Sequence, residues 1–188
     1  MPEYFFILGL PRSRTAWLSN WFTTRDSICL HDPSRLCAKS GAKQLHSILH
    51  KSDAFIPWNG WYDDTTPKRN YYGSADSVNG WWFSELENLF PNAKFALIER
   101  NYDEVAVSCE RLFGDPCTKE LDALQNLHEK LRGYPNVKCV DYDRLNHAGV
   151  VQDLQRWLTP KLKFDYSRFE LLNGLDVTIN HKKYVNAK

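Results

Sequence analysis

The chain has 188 residues, 43% of them hydrophobic, and a nearly balanced charge, with 24 Lys and Arg against 23 Asp and Glu. This composition excludes a disordered chain and a general polyanion coat, so no nucleic-acid partner is expected, although a local anion site remains compatible with it. A chain of this length buries roughly 70% of its extended surface on folding, enough for one domain over 1–188 without a disulfide or metal staple.

Residues 4–9 form a continuous apolar run ending at Gly9, which suits a strand buried on both faces. Residues 15–24 place Trp17, Leu18, Trp21 and Phe22 on one helical stripe, so a short loop joins that strand to a helix. A short strand is expected at 28–30 and a helix over 42–51. Residues 55–79, punctuated by Pro57, Gly60, Pro67 and Gly73, read as one long irregular excursion. Its aromatics Trp58, Trp61, Tyr62, Tyr71 and Tyr72 suit either an acceptor platform or packing onto the domain. Beyond it come a helix over 78–90, a strand over 94–98, and helices over 103–112 and 119–131. A strand over 137–140 and a helix over 149–158 follow, then an indistinct basic tail over 160–188. Alternating strands and helices imply an α/β three-layer sandwich around a parallel sheet, with ligands at the carboxyl ends of the strands.

The five cysteines, Cys29, Cys37, Cys109, Cys117 and Cys139, are odd in number and form no C-x-x-C pair. They read as buried or half-buried thiols in a reducing compartment. No apolar run approaches the ~18 residues of a membrane span, and the apolar start lacks a basic lead. A cytoplasmic chain without a membrane partner is expected. Nothing in the sequence fixes its oligomeric state.

The turn Gly9-Leu-Pro-Arg-Ser-Arg-Thr-Ala-Trp17 between the first strand and first helix suits either an anion cradle of backbone N–H groups and a helix N-terminus or an ordinary turn with two solvated arginines. Laid on the nucleotide-binding pattern G-x-x-x-x-G-K-[ST], it has Arg14 at the second glycine, Thr15 at the lysine and Ala16 at the metal-binding hydroxyl. A second constellation, Arg100 with Ser108 eight residues later, follows the strand over 94–98. An Arg at a strand end and a Ser two turns onward can converge on one phosphate, the guanidinium giving paired donors. Surface pairing of Arg100 with Glu104 or Asp103 is the plain alternative.

These two segments, with Pro91-Asn-Ala-Lys94 and Val140-Asp-Tyr-Asp-Arg-Leu145, resemble the P-loop-type sulfotransferases that use 3′-phosphoadenosine 5′-phosphosulfate (PAPS), and the length is similar to the short bacterial or phage-type members. The resemblance implies that PAPS is the cosubstrate and the bisphosphate PAP the product, and that no metal is required. It implies that Arg12, Ser13, Arg14, Thr15, Ala16 and Trp17 surround the 5′ phosphosulfate and adenine, with Trp17 stacking on the base. It further implies that Arg100 and Ser108 grip the 3′ phosphate and that Tyr142 touches the adenine edge. Arg14 in place of Gly, Ala16 in place of Thr, and Tyr102 in place of Pro depart from the family pattern. The cytosolic branch's carboxyl-terminal Lys-Gly-x-x-Gly-Asp-Trp segment is missing.

A sulfuryl transfer needs a base for the acceptor, a small molecule or saccharide carrying a hydroxyl or amine. His31, after the second strand, is the candidate, with Asp32 as orienter or substitute and Arg12 stabilising the leaving oxygen. A capping Asp32-Pro33-Ser34 with a bystander His31 is the competing reading. His46 and His50 are spaced for a helix face and lack the H-E-x-x-H glutamate. Asp76 or Ser77 either caps the next helix or lines the acceptor site. Two rival classes stay open: a nucleotide or small-molecule kinase using Glu99 or Asp141 for magnesium, and a nucleotide-binding relative without turnover.

Overall fold

A computed structural model describes residues 2–36, 41–50 and 69–175. In the described residues, five strands form one all-parallel sheet in the order β2-β3-β1-β4-β5, namely β2 Ser27–His31, β3 Tyr71–Ala75, β1 Glu3–Gly9, β4 Lys94–Glu99 and β5 Val137–Asp141. The side-chain alternation of β1 explains its unbroken apolar run. Phe5 and Ile7 enter one core with Trp17, Leu18, Trp21 and Phe22 of α1 (Thr15–Phe22). Phe6 and Leu8 enter the other core, with Leu45 of α2 (Gly41–His50) and Phe83 and Leu86 of α3 (Phe83–Leu89). The first core also takes α6 (Ala148–Leu158) and α7 (Tyr166–Gly174), which completes the third layer. Helices α4 (Tyr102–Phe113) and α5 (Thr118–Leu131) close over Leu10 through Val105, Cys109, Leu121 and Leu124. The expected three-layer α/β sandwich is therefore the observed fold.

Four sequence expectations are corrected. Residues 69–79 are not part of an irregular excursion, because Tyr71–Ala75 is a strand lying between β2 and β1. Gly73 stands opposite Phe5, and a Cβ there would lie 2.5 Å from the Phe5 ring and carbonyl. The glycine that reads as a loop is what lets the Phe5 ring lie across the strand. Tyr71 is fully buried and accepts a hydrogen bond from the Lys161 N–H, so it forms no platform. Trp58, Trp61 and Tyr62 lie outside the described residues.

The helix expected over 78–90 is split into a 3-10 turn, Ser77–Gly80, and α3. Asp76 caps the turn by accepting from Val78 N–H at 2.9 Å, and Gly80 lies close against the His128 ring. The tail is helical over Tyr166–Gly174, capped by Asp165, which accepts from Arg168 N–H at 3.0 Å. Phe169 anchors α7 edge-on against Trp17 and Trp21. Residues 176–188 are outside the described set. Cys139 on edge strand β5 is exposed, against the expectation of buried or half-buried thiols, while Cys29 and Cys109 are buried. Cys37 is not among the described residues. No described helix is long and apolar enough to cross a membrane.

Candidate functional site

β1 and β4 are neighbours paired in register, with Gly9 opposite Ile98, so the turns that follow them leave the same sheet edge side by side. In the first turn Arg12 and Arg14 both adopt the left-handed region, at φ 67° and 59°. Arg14 thus takes the conformation that a glycine at that position would adopt freely, at a cost of about 1–2 kcal/mol for a residue with a Cβ. It is also the N-cap of α1, yet its side chain caps nothing, and the first turn of α1 holds no acidic residue. The helix start therefore presents N–H groups and positive dipole without an internal counter-charge.

The two constellations meet. Arg12 Nε donates to Ser108 Oγ at 3.2 Å, and Arg100 donates to the backbone carbonyl of Arg12. The turn after β4 thereby braces the turn after β1. Arg100 also pairs with Glu104 at 3.5 Å, the surface contact its spacing allowed, on a glutamate that is more than half exposed. Its guanidinium lies 4.1 Å from the centre of the Tyr142 ring, and Arg14 lies 5.8 Å from the same ring. Tyr142 begins the 3-10 turn Tyr142–Asn146 directly after β5. The ends of β1 and β4 therefore supply three guanidinium groups: Arg14 and Arg100 at the Tyr142 ring that follows β5, and Arg12 at Ser108.

Trp17 does not join them. It is 4% exposed, stacks on Trp21 at 6.0 Å and donates its indole N–H to the Leu172 carbonyl. Arg14 sits 5.8 Å from its ring. The tryptophan expected to stack on a base belongs to the core beneath α7 in this structure. Ser13 is also fully buried, and its hydroxyl has no hydrogen-bond partner among the described residues. The Ala16 carbonyl accepts from Ser19 and Asn20 within α1.

On the other side of the loop, Thr15 Oγ1 lies 3.2 Å from His31 Nε2, which lies 3.4 Å from Asp32 Oδ1. His31 ends β2, and Asp32 adopts φ 46°. His31 thus sits against Thr15 of the turn after β1 with Asp32 beside it, and the side chains of His31 and Asp32 are partly open to solvent. Asp76, at the end of β3, holds this edge together. Its carboxylate accepts from Ser34 N–H at 3.1 Å as well as from Val78 N–H. Burial first, and then the neighbouring Asp32, push its carboxyl above the ordinary range, while the hydrogen bonds from Ser34 and Val78 oppose the rise.

The acids a magnesium site would use are otherwise engaged. Glu99 Oε1 accepts from Arg132 Nε at 2.6 Å, and Asp141 caps Asp143 N–H at 2.9 Å. The side chains of His46 and His50 are outside the described set.

No protein-family model matches this sequence, and no curated protein matches it at significant similarity. Solved structures do resemble it. The mouse sulfotransferase SULT7A1 complexed with PAP superposes with a TM-score of 0.53 at 15% identity, covering 99% of this chain and 68% of its own. The sulfotransferase domain from the curacin biosynthetic pathway gives 0.58 at 14% identity, over 95% and 80%. The sulfotransferase domain of a Synechococcus olefin synthase gives 0.55 at 17% identity, over 100% and 83%. At such identities the likeness establishes the fold, a P-loop-type α/β sandwich shared with sulfotransferases.

Proposed function

We propose that this chain, carrying a sulfotransferase fold, transfers the sulfuryl group of PAPS to a hydroxyl or amine on a small-molecule or saccharide acceptor, releasing PAP. One observation carries the reading: the side chain of Arg12 bonded to Ser108, with Arg100 bonded to the backbone of Arg12. Two phosphate-reading turns are built into one cleft that uses guanidinium groups where a kinase loop uses a lysine and a metal-binding hydroxyl. The PAP held by the mouse structure of the same fold supports the choice of ligand.

The residues fit such a bisphosphate by charge and by shape of donor set. Arg100 and Ser108 take the 3′ phosphate, with the fork of Arg100 matching a pair of phosphate oxygens. Arg12, Thr15 and the open start of α1 take the 5′ end. Tyr142, with two guanidinium groups at its ring, takes over the adenine contact that buried Trp17 does not offer.

The donor supplies a sulfur already bonded to a good leaving oxygen, so the protein's work is placement and charge stabilisation. As the acceptor oxygen or nitrogen bonds to sulfur, the bond from sulfur to the bridging phosphate oxygen breaks, and Arg12 stabilises the charge left on that oxygen. His31 Nε2 receives the acceptor proton, with Asp32 stabilising the imidazolium and Thr15 holding the ring beside the loop.

The test is a screen of hydroxyl and amine acceptors with sulfur-labelled PAPS. Labelled product that disappears in Arg12→Ala is expected. Magnesium-dependent phosphate transfer from ATP, with no sulfuryl transfer, would overturn the reading in favour of a kinase.

A further inference from the structure

Helix α4, which carries Ser108, also carries a group that sulfuryl transfer does not use. Cys109 follows Ser108 on α4 and is buried, whereas Cys117, just before α5, is partly exposed. The two thiols are neighbours. Cys117 packs against the cluster of Leu10, Val105, Cys109, Leu121 and Leu124, and after burial its thiol is the next influence that raises the Cys109 pKa.

The joining loop is built to hold this arrangement. Gly114, at φ 78°, ends α4. Asp115 Oδ1 accepts from Cys117 N–H at 2.7 Å, and Cys117 Sγ donates to the Asp115 carbonyl at 3.5 Å. Cys117 itself takes φ 56°, a left-handed backbone that residues with a Cβ seldom adopt. It occupies the N-cap position of α5 and makes no capping bond there. The strained residue contributes a thiol beside Cys109 instead.

We propose that Cys109 and Cys117 form a reversible disulfide site next to Ser108, closed by exchange with a low-molecular-weight disulfide such as oxidised glutathione. Cys117, the accessible member, attacks as thiolate and releases one glutathione thiol, leaving a mixed disulfide. Cys109 loses its proton to solvent, attacks Cys117 Sγ and releases the second. Two protein thiols are oxidised, and one glutathione disulfide is reduced to two thiols. Burial holds the Cys109 thiol protonated, while the charges of Arg12 and Arg100 oppose that, which suits the resolving role.

Closing the bond brings the sulfurs to about 2.05 Å, well inside thiol contact. The start of α5 is drawn onto α4, and Cys109 moves together with its neighbour Ser108. Ser108 holds Arg12, so the oxidised protein binds adenosine 3′,5′-bisphosphate several-fold more weakly; this consequence rests on the function proposed above, while the disulfide itself does not.

The full chain is equilibrated in glutathione redox buffers, trapped with an alkylating agent and mapped by peptide mass spectrometry. The expected product is a Cys109–Cys117 linked peptide that is absent from Cys117→Ser and lost on adding dithiothreitol. Recovery of Cys117 as free thiol or as glutathione adduct, with Cys139 oxidised in the same sample, overturns the site. Calorimetry with adenosine 3′,5′-bisphosphate runs in parallel on both forms. Weaker binding to the linked form supports the coupling, and equal binding overturns it. No binding to either form overturns the nucleotide reading while the mapped disulfide stands.

Discussion

His128 on α5 should make the protein acid-sensitive in a defined window. The ring is 7% exposed, its Nε2 has no hydrogen-bond partner among the described residues, and it packs against Gly80 of the turn after β3. Burial first, and the nearby Arg132 second, lower its pKa from 6.5 to about 4. An unfolded chain takes up this proton as pH falls through 6.5, whereas the folded chain resists until about 4. The stability contribution is therefore intact above pH 6.5, falls away between 6.5 and 4, and is flat below. At 1.36 kcal/mol per pH unit, the loss over that window is about 3 kcal/mol, a large part of the 5–15 kcal/mol typical of a domain. Protonation places charge directly under the Ser77–Gly80 turn, which Asp76 ties to the His31 edge. Urea denaturation of the protein and of His128→Leu, at about pH 7.5 and about pH 4.5, isolates the effect, because other titrating groups are common to both. The stability difference between the two should shift by about 3 kcal/mol in favour of the leucine variant at the lower pH. A difference that is the same at both pH values would refute the assignment.

Four further outcomes are expected. Gly73→Ala forces a Cβ into the Phe5 ring and backbone and should destabilise by about 1–3 kcal/mol in thermal or urea unfolding, more than Gly149→Ala, where nothing lies within 4 Å. Ser108→Ala removes the Arg12 contact and should weaken bisphosphate affinity several-fold by calorimetry, leaving the melting temperature of the unliganded protein nearly unchanged. His31→Ala should lower kcat with bisphosphate affinity preserved; unchanged turnover would place the base elsewhere. Arg14→Gly relieves a left-handed backbone but removes a cation from the Tyr142 ring, so it should bind the bisphosphate more weakly without losing stability.

The sheet's inner strands β1 and β4 are legible because burial on both faces leaves a continuous apolar signature. β3 is equally internal and was hidden, since its centre is Gly73 and Ser74. The first is emptied by Phe5, and the second is hydrogen-bonded to buried Asn79. α7 escaped because its anchor is the lone buried Phe169, and its surface leaves Tyr166 and Leu171 exposed. In the site, the convergence of Arg12, Arg100 and Ser108 follows from two strand ends being neighbours, which motif spacing conveys. The burial of Trp17 is set by α7, an element the sequence did not announce. The left-handed backbone at Arg14 is tertiary too, although the glycine that the resemblance expects there already marks the position. The placing of Cys117 beside the Cys109 cluster depends on the loop that joins α4 to α5, and spacing alone does not specify that.

On the proposed function, the turns after β1 and β4 together read both phosphates of an adenosine bisphosphate. Titration calorimetry with magnesium chelated, comparing adenosine 3′,5′-bisphosphate with adenosine 5′-monophosphate on the intact chain and on Arg100→Ala, tests it most directly. A clear preference for the bisphosphate that collapses in Arg100→Ala is expected. Equal affinity for the two nucleotides, or binding only when magnesium is restored, would contradict it.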